Sequence, residues 1–131
     1  MSDRSDYVEI TIHKDDIYKT ESIIDFEDDD VEYNRDLREI TLEEVRYGLY
    51  EPLKELAAAG VNFLAYSSAG DEYLAFKSLG YAGEYVEIFV NPDGDAIAVI
   101  HDGKVSESEL ENYRKFREYE DKIEKEWENR K

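Results

Sequence analysis

The 131-residue chain contains no cysteine. That excludes disulfide staples, thiolate metal ligands and cysteine nucleophiles, and it fits a reducing cytosol. No apolar run approaches the ~20 residues needed to span a bilayer. The opening Met-Ser-Asp-Arg-Ser-Asp has no apolar stretch behind a basic start, so no secretory signal is read there. Positive charge is scarce: 16 Lys and Arg stand against 34 Asp and Glu, a net charge of −18 at pH 7. Such a chain is repelled by DNA, RNA and anionic membranes, and it offers no basic patch with interleaved aromatics for binding nucleic acid directly. Also missing are a phosphate-cradling glycine loop and a recognisable Ser/His/Asp arrangement. The chain therefore reads as a binder, not an enzyme, with no catalytic residues, cofactor or metal expected.

What is present is acid, tyrosine and enough apolar material for one core. Hydrophobic residues make up 41% of the chain and charged residues 38%, the latter well above the ~25% of an average domain. The length suits one domain. The acid is unevenly placed. Residues 1–55 carry 18 acidic and 7 basic side chains, whereas residues 106–131 carry 9 and 7. The densest stretch is Asp25-Phe26-Glu27-Asp28-Asp29-Asp30-Val31-Glu32. Two readings compete: a solubility device or adaptation to high salt, and a surface that occupies a basic groove on a partner. Uniform salt adaptation predicts no such asymmetry.

Hydrophobic periodicity predicts an α+β domain, a mainly antiparallel sheet of about four to six strands with two main helices. Residues 7–13 alternate as a half-buried strand with Val8, Ile10 and Ile12 on one face. Residues 22–27 are a candidate second strand, and the segment before them a candidate short helix. Thr41 and Glu44 read as a capping box opening a helix over 42–59, with Leu42, Val45, Leu49, Leu53 and Leu56 as its stripe. Pro52 predicts a kink or break between Gly48 and Pro52. Strands are expected at 61–66, 85–90 and 96–100, the last two joined by the turn Asn91-Pro92-Asp93-Gly94. Residues 72–77 fit either strand or helix. A second helix is expected over 107–129, with Ser106 and Glu109 as capping box. Its apolar side carries Leu110, Tyr113, Phe116, Ile123 and Trp127. If it outruns the core, Ile123 and Trp127 are left for a partner or for a homodimer through this helix.

Three constellations look like chemistry and are better read as scaffold. Pro92-Asp93 followed by Asp102-Gly103-Lys104 matches the loose text of a metal-dependent nuclease. However, nine strand steps would hold the two acids ~30 Å apart, too far to share an ion. His13 and His101 sit at strand ends with no fixed spacing, and surface positions are expected for both. Asp28-Asp29-Asp30 lacks the spacing and glycine of a calcium loop. The 11 tyrosines, against one Trp and five Phe, carry more signal, because tyrosine is enriched at interfaces. Carboxylates recurring every ~6.6 Å on a strand face or ~6 Å along a helix resemble phosphate spacing.

In composition the chain is similar to small acidic inhibitors of phages and mobile elements, such as DNA-mimicking anti-restriction and anti-CRISPR proteins. It is also similar to acidic immunity proteins that neutralise basic nuclease toxins. Neither resemblance rests on a motif, so neither assigns a residue. Leu53 to Ser67 resembles the helix-to-strand step of ACT-type ligand-binding domains, a pattern shared by unrelated α+β folds. The leading expectation is a cytoplasmic, stoichiometric inhibitor of a basic, nucleic-acid-handling protein, without direct nucleic-acid or membrane contact. Asp25, Glu27, Asp28, Asp29, Asp30 and Glu32 would carry its charge, with Tyr33, Tyr47 and Tyr50 as anchors. The alternatives are an immunity protein for a basic nuclease toxin, and a small ligand-binding regulatory domain or enzyme.

Overall fold

The alternation at residues 7–13 does form a strand, β1 (Arg4–His13), and it becomes the spine of the sheet. In this computed structural model the described residues are 4–46, 49–69, 74–91, 93–97, 100–101 and 103–130. The other strands are β2 (Val31–Asn34), β3 (Leu37–Arg46), β4 (Phe63–Ser67), β5 (Phe76–Tyr81) and β6 (Glu84–Phe89). They form one antiparallel sheet in the order β2-β3-β1-β4-β5-β6. The helices are α1 (Ile17–Glu21), α2 (Tyr50–Ala58) and α3 (Glu107–Asn129). A separate ribbon pairs β7 (Ile100–His101) with β8 (Lys104–Val105).

The α+β class, the antiparallel sheet and the helix over 107–129 agree with the sequence reading. The other main helix does not begin where expected. Residues 42–46 belong to β3, and Thr41 pairs with Glu9 instead of capping a helix. The 3–4 spacing of Leu42, Val45 and Leu49 fits a helical stripe, but Ile40 and Leu42 also alternate. The pairing of β3 along almost all of β1, from Arg4↔Arg46 to His13↔Leu37, settles the competition. The break expected near Pro52 is present as the true helix start. Leu49 takes a left-handed backbone (φ 62°) and α2 begins at Tyr50. Pro52 then falls in the first turn, where its missing N–H has no intrahelical acceptor to lose.

Two other segments differ from the sequence reading and one left open there is resolved. Residues 22–27 form no strand, because Ile24 drops into the core from the loop that follows α1. The undecided segment at 72–77 contributes Phe76 and Lys77 to β5, while 72 and 73 lie outside the described residues. Of the strand expected at 96–100, Ala96 makes a single bridge to Val90, Ile97 is not in a strand and Ile100 belongs to β7, while 98 and 99 lie outside the described residues. The expected turn at Asn91 is tight, with its Oδ1 accepting the N–H groups of Asp93 and Asp95, each at 2.9 Å.

The sheet has a core on each face. On one side Val8, Ile10, Ile12, Ile40 and Phe63 pack with Leu53, Leu56 and Ala57 of α2. On the other, Leu79 and Val86 pack under Phe116, Ile123 and Trp127 of α3. Ile123 and Trp127 are thus buried in the chain's own core and not left over for a partner or second copy. Ser106 is the N-cap of α3, but its hydroxyl meets that of Ser108 at 2.8 Å and does not complete the expected capping box. Three ion pairs four residues apart form on this helix: Glu118–Lys122, Asp121–Lys125 and Glu126–Arg130. Lys115 reaches Glu84 of β6 at 2.6 Å. His13, expected at the surface, is 1% exposed, and its Nδ1 accepts the Asp15 N–H at 3.1 Å.

Gly80 lets the sheet approach α2 closely. A Cβ there would lie 2.6 Å from the buried Phe63 ring and 2.9 Å from Ala57. Gly80→Ala is therefore expected to cost about 1–3 kcal/mol through overpacking, read as a lower midpoint in urea or thermal unfolding. Adding Phe63→Leu should give a double variant that loses less than the sum of the two single losses. An unchanged midpoint in Gly80→Ala would contradict this packing.

Candidate functional site: an acidic sheet face

The α3 helix covers β5 and β6 and leaves part of the same sheet face open over β1, β3 and β2. Alternation puts Tyr7, Glu9 and Thr11 of β1 on that open face, because Val8, Ile10 and Ile12 occupy the core. Register then carries the pattern outward. Glu9 pairs with Thr41, Thr11 with Glu39, Tyr7 with Glu43, and Glu39 with Glu32 of the edge strand β2. Glu32 and Glu39 are like charges directly opposite one another, an arrangement that costs sheet stability. The amide of Asn34 donates to Glu39 Oε2 at 3.0 Å.

The flank of α3 adds a third source of acid. Glu120, Glu124 and Glu128 recur at i, i+4 and i+8 beside this face. Glu124 and Glu128 line a groove of about 380 Å³, with Arg35, Leu37, Thr11, Leu64 and Trp127. Glu9 and Glu120 line a second, smaller groove that shares Thr11 and Leu64 with the first and has Lys77 beside it. Partial burial, then the charges of Glu120, Asp121 and Glu128, push the Glu124 carboxyl above the usual glutamate range. Glu120 has an arginine nearby, with Arg117 Nε at 3.7 Å.

The structure divides the residues singled out from sequence. Asp25, Glu27, Asp28 and Asp29 are exposed in the loop that leads into β2. Asp28–Asp30 form a single 3-10 turn. Within it the Asp30 carboxylate accepts the Glu27 N–H at 3.0 Å, so Asp30 partly serves the loop's own fold. Glu32 joins the open face. Its neighbour Tyr33 points to the opposite face at the same edge, 76% exposed, with the Arg38 guanidinium 4.1 Å from its ring centre. Tyr50 is not part of this cluster. It packs edge-on against Tyr85 of β6 and meets Lys54 Nζ at 3.3 Å. That places it at the far edge of the sheet, five strand spacings or ~24 Å from β2. Tyr47 lies outside the described residues.

The chain matches no protein-family model, no curated protein and no solved structure. Among the described residues, no group of three or more His, Asp or Glu is placed to hold a metal ion. No helix among them is long and apolar enough to cross a membrane. His101 belongs to the separate β7–β8 ribbon.

Sequence reasoning missed Glu9, Glu39, Glu43, Glu124 and Glu128. Only the β1–β3 and β2–β3 pairings together put the first three on one face with Glu32. The acid spacing at 120, 124 and 128 was legible, but it is hidden within a helix whose overall charge is nearly balanced.

A carboxyl whose pKa is raised on folding holds its proton more tightly in the native state. Its contribution is therefore lost as pH rises from the unfolded value through the folded one. Glu124→Gln is accordingly expected to raise the thermal midpoint relative to wild type at pH 7. The difference should shrink in added salt and vanish below about pH 4. Paired melting curves at the two pH values test this, and an equal difference at both would contradict it.

Proposed function

We propose that this protein is a stoichiometric inhibitor that binds a basic, nucleic-acid-handling protein through the acidic face and edge built from β1, β2, β3 and the 25–30 loop. One observation carries the reading. Register puts Glu9, Glu39, Glu43 and Glu32, from three neighbouring strands, on the one sheet face that α3 leaves open, beside a groove lined by Glu124, Glu128, Leu37, Leu64 and Trp127. A basic surface that normally receives phosphates would be attracted to it quickly and in a salt-sensitive way. Leu37, Leu64 and Trp127 in the groove supply the less polar contact that affinity requires. Acid placed only for solubility has no need to gather like charges across neighbouring strands.

The test leaves Glu27 and Asp30 alone, since they hold their own turn, and reverses the exposed charges in a variant carrying Asp25→Lys, Asp28→Lys, Asp29→Lys and Glu32→Lys. Wild type, immobilised at low salt, should capture a basic partner from lysate and release it as salt is raised. The variant should keep the wild-type circular dichroism and bind that partner at least about tenfold more weakly. Equal capture by the two proteins would sink the proposal, as would a captured partner that is neutral and indifferent to salt.

A further inference from the structure

A second surface lies at the opposite edge of the sheet and does not depend on the acidic-face reading. Among the described residues, Phe89, Ile97 and Leu110 are exposed large apolar side chains, at 43%, 41% and 40%. They come from β6, from the bridge segment after it and from the first turn of α3, and all three line one groove of about 480 Å³. Clustered apolar exposure of this kind marks interaction sites, whereas single exposed residues do not.

The groove's chemistry narrows the occupant. Asp95 and Glu109 add acid to its lining, the Glu87 carboxyl being turned toward Tyr85 and Lys54, and no Lys or Arg lines it among the described residues. It is also a poor template for adding a strand. The outward carbonyl of Phe89 already accepts the Ile97 N–H at 3.0 Å, and that of Glu87 accepts the Asn112 amide at 2.6 Å. With those edge positions taken, a partner must engage through side chains and not through a backbone ladder. An apolar trough with carboxylates at its rim complements a helix that presents bulky aliphatic residues beside Lys or Arg.

We propose that this groove docks an amphipathic, cationic helix of a partner protein. The probe is a synthetic helical peptide with leucines along one face and lysines along the other, followed by fluorescence anisotropy. Controls are the same peptide with leucine replaced by serine, and with lysine replaced by glutamate. Wild type should bind the first peptide and neither control. Leu110→Asp and Ile97→Asp should each weaken binding by about tenfold or more. Both substitutions add negative charge, so attraction by bulk charge alone predicts equal or tighter binding. Asp95→Lys should weaken it too, while Asp28→Lys with Asp29→Lys, at the other edge, should leave it unchanged. Circular dichroism checks that each variant is folded.

Failure of wild type to bind the peptide would overturn the proposal, as would undiminished binding by Leu110→Asp or equal binding of the serine control. Light scattering excludes the other occupant. A wild-type dimer that becomes monomeric in Leu110→Asp would assign the groove to a second copy of this chain and also overturn the proposal. Because the acidic-face variant and the groove variants are separate, failure of one reading leaves the other standing.

Discussion

The register of β1 is the constraint on which the rest of the structure depends. This strand pairs with β3 on one side and β4 on the other, so it fixes which face each neighbour's side chains occupy. Val8, Ile10 and Ile12 are fully buried, and they commit one face to packing under α2. Glu9 and Thr11 are thereby sent to the opposite face. A slip of one residue would drive Glu9 into the core and expose three β-branched residues, so the register is strongly specified. The acidic face is a consequence of that specification, since Glu39, Glu43 and Glu32 reach it by pairing outward from β1.

Electrostatics then has to be accommodated on a scaffold that hydrophobic burial has already set. A net charge of −18 on 131 residues opposes compaction. Much of the solvent side of α3 relieves this locally, through the Glu118–Lys122, Asp121–Lys125 and Glu126–Arg130 pairs. Such exposed pairs contribute little stability each, but they keep the local field small. The flank facing the open sheet is different. There Glu124 sits among Glu120, Asp121 and Glu128, and its carboxyl is pushed upward by burial and by those charges. Uneven relief of repulsion on one helix is hard to derive from solubility alone, and the proposed inhibitory role gives it a physical purpose.

The fold class was legible because the strongest periodicities are local. Alternation over residues 7–13 and the helical pattern over 107–129 need no tertiary information. The misreading of 41–46 had a specific cause. Leu42 and Val45 satisfy a helical spacing, Thr41 and Glu44 look like a cap, and only the presence of β1 as a pairing partner turns the segment into strand. The same long-range pairing explains why the site was half seen. Asp25 to Glu32 are contiguous and announce themselves by composition. Glu9, Glu39 and Glu43 are scattered in sequence and gathered only by register. Tyr50 was grouped with the acids because it is close to them along the chain, yet α2 carries it across the sheet to β6. The exposed Leu110 was misplaced for a related reason: it follows the apolar spacing of α3 but lies beyond the end of the packed layer.

The most direct test of the central claim is a hydrogen–deuterium exchange footprint of the protein bound to whatever basic partner it captures at low salt. The account predicts slowed exchange in residues 25–34 and 37–43, with the solvent side of α3 around 117–122 unchanged and the protection fading as salt is raised. Protection that leaves residues 25–43 untouched would contradict it.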